Sequence, residues 1–144
     1  MKLLNVLVLA SLFNFANADL IRVSDNVIKD TKTNFLWQDS KEAKTQRRSF
    51  EEAKVYCQNL ELDGKTNWEM PTFLAAFSIV NTKVYNPTLS KEFKNYVSDN
   101  YWTTKTFSHA MSKEAFVVDY KSGAFNRKLM EDKFYVRCFK DLNK

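Results

Sequence analysis

The two cysteines, Cys57 and Cys138, constrain the fold of this 144-residue chain more than any other feature. They are the only cysteines in the sequence, and they lie 81 positions apart. A bond between them would remove entropy from the unfolded chain, which a chain-entropy model values at about 4–5 kcal/mol for so long a loop. Whether they pair depends on the compartment, because disulfides persist mainly outside the cytosol.

The first eighteen residues have the features of a secretory signal peptide. Lys2 gives a positive start, residues 3–15 are mostly apolar, and residues 16–18 (Ala-Asn-Ala) suit a signal peptidase. The apolar run is shorter than the roughly 20 residues that a membrane span needs. We predict a signal peptide over residues 1–18 and one mature domain over residues 19–144, in the periplasm or secreted. A buried N-terminal helix is the alternative interpretation.

Export favours a structural disulfide between Cys57 and Cys138. The alternative, a reactive or metal-binding thiol pair, is supported by neither a Cys-x-x-Cys spacing nor a neighbouring histidine. With two cysteines and one histidine, His109, four-thiolate zinc sites and multi-histidine metal sites are excluded. The acidic residues form no regularly spaced calcium loop either. We therefore expect no metal and no cofactor.

The composition describes a packed domain of modest charge. Hydrophobic residues make up 44% of the chain and aromatic residues 15%, which is enough for a core. The length fits one domain. The 22 Lys and Arg exceed the 17 Asp and Glu by a formal net charge of +5, which is low for a nucleic-acid binder. We expect no nucleic-acid partner and no membrane span.

The strand signals lie at the two ends of the mature chain. Residues 20–38 predict three short strands separated by turns rich in Asn, Asp, Ser and Thr. In the last third, residues 101–104, 115–120 and 134–139 predict strands, and residues 121–124 predict a hairpin turn. Helical signals lie between them, so the order predicts an α+β domain with short antiparallel strands.

Two main helices are predicted in the middle of the chain. Ser49 and Glu52 form a capping box, which starts a helix whose apolar stripe carries Cys57. Thr72 caps the second helix, after a proline that holds the preceding backbone extended. The residues predicted to form its buried face are Phe73, Leu74, Phe77 and Val80. Residues 39–48 and 81–100 are predicted as loops, the latter with a possible short helix at 89–96.

Five fragments, in order, resemble the Lcl C-terminal domain family, named after the domain that closes a bacterial collagen-like adhesin. The fragments are VIKDTKTNFLWQ at residues 27–38, AKVYCQNL at 53–60, WEMPT at 68–72, YWTT at 101–104 and VRCF at 136–139. The sequence departs from the family pattern at Glu69, where an arginine is usual, at Ala75, where an acidic residue is common, and at residues 103–104, where serines are usual.

The resemblance implies a compact C-type-lectin-like domain, similar to the core of formylglycine-generating enzymes but without catalysis. The adhesin's domain is associated with sulfated glycosaminoglycans, so the resemblance implies an exported binding domain for an anionic glycan or an envelope protein. One alternative is a structural or accessory periplasmic protein. Another is an enzyme related to formylglycine generation, but that chemistry needs reactive cysteines, which a structural disulfide excludes.

Basic and aromatic residues are the candidates for glycan contact, because cations bind sulfate oxygens and aromatic faces suit the apolar side of a sugar. The candidate ligand-binding residues are Arg47, Arg48, Lys121, Arg127, Lys128 and Trp102. Trp37, Trp68 and Trp102 are each also interpreted as core residues. Arg137 is expected to have a structural rather than a catalytic role, paired with a core-edge carboxylate such as Asp119 or Asp30. Ser108 and His109 are adjacent, which does not favour a nucleophile–base pair.

Overall fold

The computed structural model describes residues 20–109 and 111–144. The predicted signal peptide at residues 1–18 lies outside them. The elements in the described part of the chain are β1 (Leu20–Ser24), β2 (Val27–Asp30), β3 (Phe35–Gln38), α1 (Glu42–Thr45), α2 (Phe50–Asn59), α3 (Phe73–Ser78), β4 (Asn100–His109), β5 (Ser112–Asp119), β6 (Phe125–Leu129) and β7 (Phe139–Asp141). The predicted strand-rich mixture of short strands and helices is confirmed, with three short helices where two were expected.

The strands form two antiparallel sheets. One has four strands in the order β1-β2-β3-β7, and the other has three in the order β4-β5-β6. The three strands predicted in residues 20–38 are confirmed, as is the hairpin turn that joins β5 to β6, where Gly123 has a φ of +79°. A positive φ of this size favours glycine.

Helix α2 begins where the capping box predicts. The Ser49 side chain accepts a hydrogen bond from the Glu52 backbone N–H, and the Glu52 carboxylate accepts one from the Ser49 backbone N–H at 2.8 Å. This backbone hydrogen bond, with Lys133 nearby, lowers the pKa of Glu52. The helix buries Phe50, Ala53 and Cys57, so Cys57 lies on its apolar side as predicted.

The predicted disulfide is confirmed. Cys57 and Cys138 are bonded, with Cα atoms 5.5 Å apart, and both side chains are fully buried. The bond joins α2 to the segment that enters β7, and it lies in a core cluster with Trp68 and Trp102. Trp37 lies in a second core cluster. All three tryptophans are therefore core residues, in agreement with that interpretation.

The predicted buried face of the second helix is wrong in part. Helix α3 buries Ala75 and Ala76, whereas Leu74 is 77% exposed and Phe77 is 47% exposed. The small alanines let this six-residue helix approach β4 and β5 closely. The larger residues therefore lie beside the interface rather than within it. Phe73 and Val80 are half-buried.

The closing strand and the connecting loops also differ from expectation. Residues 134–138 form no continuous strand, because Phe134 bridges to Arg48 while Tyr135 bridges to Tyr101. Only after these separate bridges does the chain join β3 as β7. The loop predicted at residues 39–48 contains the short helix α1, and residues 89–96 form turns rather than a helix.

Candidate ligand-binding face

The three-stranded sheet carries several aromatic and basic residues on one side, called here the outer face. Ala115 and Val117 of β5 point into the core. Because side chains alternate along a strand, the residues between them point the other way. The register places Phe107 opposite Glu114 and Arg127 opposite Phe116. The residues of this outer face are Lys105, Phe107 and His109 from β4, Glu114 and Phe116 from β5, and Phe125 and Arg127 from β6.

Helix α3 closes one end of the outer face with stacked rings. The ring centroids of Phe73 and Phe125 lie 3.9 Å apart, and Phe77 lies 5.6 Å from Phe125. Phe73 also meets Phe116 edge-on at 6.0 Å. These contacts hold an aromatic surface against the sheet while one side of Phe77 remains in solvent.

Two cations of the outer face lie against aromatic rings. The Lys105 ammonium is 5.8 Å from the Phe73 ring centroid and 5.9 Å from that of Phe116. The Arg127 guanidinium carbon is 4.4 Å from the ring centroid of Phe107. Cations at these distances are attracted to the ring faces. The contacts orient both side chains while leaving Lys105 exposed and Arg127 47% exposed.

One carboxylate lies between two basic groups at the other end of the face. Glu114 is 3.8 Å from Arg127 and 3.9 Å from the Nε2 atom of His109. The His109 Nε2 atom also lies 2.8 Å from the Ser112 hydroxyl, and its ring meets Phe107 at 5.8 Å. The tip of the β4–β5 hairpin borders a shallow cleft of about 590 Å³, which His109, Met111, Ser112, Lys113, Leu129, Met130 and Glu131 line.

The sequence pattern of one family covers almost the whole described chain. The model of the Lcl C-terminal domain family matches residues 26–140. The chain belongs to the Lcl C-terminal domain family. The resemblance stated from the five sequence fragments is thereby confirmed. A comparison with curated proteins gives no match. Within the described ranges, no helix of this Lcl C-terminal domain has the length and apolar character that crossing a membrane requires.

The position that departs most in charge from the family pattern has a local partner here. The Glu69 carboxylate pairs with the Lys144 ammonium at 2.9 Å, and the Glu69 backbone bridges to Phe139 of β7. In this Lcl C-terminal domain Glu69 therefore contacts β7 and the residues that follow it. Its acidic side chain adds no positive charge for an anionic ligand.

Of the predicted ligand residues, Arg127 lies on the outer face and Trp102 does not. Trp102 is fully buried, and its indole N–H donates to the Arg48 carbonyl at 2.8 Å. No face of this ring is open to a sugar. Lys128, which follows Arg127 in the strand, points to the opposite side, where its ammonium lies 5.6 Å from the Phe134 ring.

The other predicted basic residues occupy different surroundings. Arg47 pairs with Asp99 at 2.9 Å, and its pKa is raised by a hydrogen bond to Tyr135 and by the Asp99 charge. The Arg48 guanidinium stacks 3.6 Å from the Tyr56 ring centroid and is half-buried. Lys121 lies in the β5–β6 turn. The structure thus does not gather the predicted basic residues into one site.

Arg137 lies in a buried polar cluster and pairs with a carboxylate as expected, but with neither of the two named from sequence. It is 1% exposed and contacts the Asp39 carboxylate at 3.2 Å, not Asp119 or Asp30. Its guanidinium also donates to the carbonyl of Asn95 at 2.7 Å. The two named partners were wrong because residues 90–96 fold back over β3, which the sequence pattern does not reveal.

Asp39 is the centre of that cluster. Its carboxylate is fully buried and accepts hydrogen bonds from Arg22 and Arg137 and from the backbone N–H groups of Lys94 and Asn95. A buried carboxylate is stable only when it is paired in this way. The cluster ties β1, the end of β3 and the long loop together, so its role is structural.

Sequence analysis missed most of the outer face. The β-prone residues Thr104, Thr106 and Phe107 favour a strand that continues beyond residue 104. The predicted strand ended at residue 104, whereas β4 continues to His109. The signal was present in the sequence, but the apolar content of residues 105–109 is low, because both sides of this segment are exposed.

Proposed function

We propose that this Lcl C-terminal domain is an exported, non-catalytic binding module that takes an anionic glycan on its outer face, in the periplasm or secreted. The observation that carries the proposal is the pairing of Lys105 and Arg127 with aromatic rings on one open side of a sheet. The family resemblance to an adhesin's domain supports the same class of ligand.

The arrangement suits the chemistry of a sulfated or carboxylated sugar. Lysine and arginine form charge-assisted hydrogen bonds with anionic oxygens. Lys105 lies on β4 and Arg127 on β6, the two strands that flank β5. Two inter-strand spacings separate such strands by about 10 Å, so the cations can meet two anionic groups of one chain. Phe107 and Phe77, which are 40% and 47% exposed, offer apolar surface nearby.

Retention on immobilised heparin tests the proposal. The mature domain should elute above about 150 mM salt, since scattered surface lysines give only weak, screened attraction. The double variant Lys105→Gln, Arg127→Gln should elute at clearly lower salt. A matched control, Lys83→Gln with Lys91→Gln, removes the same charge from exposed positions in another loop and should elute nearly as the wild type does.

Three results would count against this assignment. Equal losses in the two double variants would mean that net charge alone causes retention. A larger loss in Arg47→Ala, Arg48→Ala would move the site to the pair first predicted from sequence, where Arg47 is 55% exposed. Wild-type elution below about 150 mM salt would favour a partner protein or a structural, accessory role in the envelope.

The absence of catalysis and the C-type-lectin-like core remain part of the proposal. The related enzymes need reactive cysteines, and here both cysteines are fully buried in one disulfide. That bond supports a binding domain over an enzyme related to formylglycine generation. The two antiparallel sheets and one disulfide are compatible with the lectin-like core that the family resemblance implies.

A further inference from the structure

The outer face contains the only side chain in the sequence whose ordinary titration range lies between pH 5 and 8. His109 is the single histidine of the chain. Its imidazole is 46% exposed, and its Nε2 atom lies 3.9 Å from the carboxylate of Glu114. The same carboxylate lies 3.8 Å from Arg127, a residue of the proposed glycan site.

We propose that His109, Glu114 and Arg127 form an anion-binding subsite for sulfated glycan that strengthens when His109 is protonated. The inference rests on the proposed function and adds the residues and the condition that control binding. With a neutral imidazole, Glu114 offsets the single charge of Arg127. With an imidazolium, two cations lie beside the one carboxylate of Glu114, and the net charge of the three groups is +1.

Protonation of His109 breaks one long contact, because its Nδ1 atom accepts a hydrogen bond from the Met111 backbone N–H at 3.3 Å. The charged groups near His109 are Glu114 and Lys113 from β5, Arg127 from β6 and Glu131 from the turn after β6. Lys113 and Glu131 line the same cleft as His109 and carry opposite charges. Because these two charges offset each other, a proton gained by His109 adds one positive charge to the subsite.

The geometry also explains how the imidazole is held toward the site. The His109 ring meets the edge of Phe107 at 5.8 Å, and Phe107 is the ring on which Arg127 rests at 4.4 Å. Ser112 lies 2.8 Å from the Nε2 atom. The two basic groups thus share one aromatic support and one carboxylate, so a sulfate that approaches Arg127 also approaches His109.

Binding of a heparin oligosaccharide to the mature domain at pH 5.5 and pH 7.5, at equal ionic strength, tests the subsite. Wild-type affinity should be about two- to fivefold higher at pH 5.5, the range that one exposed ion pair gives. His109→Gln should remove this difference, so that its affinity is the same at both pH values. Glu114→Gln should bind more tightly than the wild type at pH 7.5.

The outcomes separate the subsite from the proposed function. Heparin binding that depends on Lys105 but is equal at both pH values would overturn the subsite and leave the function standing. An equal pH dependence in His109→Gln would also overturn it, because another group would then be responsible. No heparin binding by the wild type at either pH would overturn the proposed function itself. Because His109 is exposed, His109→Gln should have the same melting temperature as the wild type.

Discussion

The middle of the four-stranded sheet is buried on both sides, whereas the outer half of β4 is exposed on both sides. In β2 and β3, Val27 and Leu36 lie in one core cluster, while Ile28 and Trp37 lie in the other. In β4, by contrast, all six residues from Thr104 to His109 are exposed. The middle strands of the four-stranded sheet thus contribute side chains to both core clusters, whereas the outer half of β4 extends beyond the core.

This difference separates the stabilising residues from the candidate binding residues. The disulfide and the Asp39 cluster both contact the first sheet or the segment beside it. The aromatic and basic residues of the outer face lie on the second sheet. Substitutions in the first group should therefore change stability, and those in the second should change binding.

Removing the disulfide should have the largest effect on stability. Cys57→Ala with Cys138→Ala is expected to lower the free energy of unfolding by about 4–5 kcal/mol, because the unfolded chain regains the freedom of an 81-residue loop. Denaturant melts of wild type and variant measure the change. At a temperature where the variant remains folded, its heparin affinity should match the wild type. A stability loss below about 1 kcal/mol would contradict the stabilisation that we assign to this disulfide.

Neutralising Asp39 should also have a large effect on stability. Asp39→Asn leaves Arg137 buried without a charged partner, and the loss of a partner in a buried pair costs about 3 kcal/mol or more. Asp25→Asn is the control, because Asp25 is exposed and should change the free energy of unfolding by less than about 0.5 kcal/mol. Equal melts for the two variants would contradict a structural role for the cluster.

The first sheet was largely predictable from sequence because its patterns are local. The apolar pairs in residues 20–38 and the turn residues between them predict strands, and the capping box at Ser49 predicts the start of α2. The disulfide was predicted from the signal-peptide-like start of the sequence and from the count of cysteines. Each inference uses residues that are close in sequence or a residue type with few alternatives.

The remaining features depend on contacts between distant residues. Arg137 meets Asp39 across 98 positions of sequence, and no local pattern identifies that partner. Leu74 and Phe77 look like core residues, but the small Ala75 and Ala76 allow the closer approach to the sheet. Arg47 and Arg48 were likewise predicted to bind a ligand only because they are basic. In the structure Arg47 pairs with Asp99, and Arg48 stacks on Tyr56.

An aromatic residue of the outer face should affect binding more than folding. Phe107 is 40% exposed, so Phe107→Ala should lower the free energy of unfolding by less than about 1 kcal/mol. It should weaken heparin binding about three- to tenfold, because Arg127 and His109 lose the ring that holds them. Thermal melts and heparin titrations measure the two effects separately.

The buried ring of Trp102, in the same strand, provides the matched comparison. Trp102→Ala should destabilise the domain by about 3–5 kcal/mol, because its side chain is fully buried. If Phe107→Ala destabilised the domain as much as Trp102→Ala, the outer half of β4 would be part of the core. The distinction between the two ends of β4 would then be wrong.

The smallest effect should be a pH-dependent one at the capping box. The lowered pKa of Glu52 means that its carboxylate is more stable as an anion in the folded chain. Its contribution to stability is therefore complete above the pKa of the unfolded chain and is lost as the pH falls through the folded pKa. Glu52→Gln should be less stable than the wild type at pH 7, and the difference should disappear at strongly acidic pH. Glu51→Gln, which removes a charge from the same exposed first turn, is the control. A Glu52→Gln deficit that stayed constant from pH 7 to acid would mean that side-chain shape, rather than the anionic hydrogen bond from Ser49, supports the start of α2.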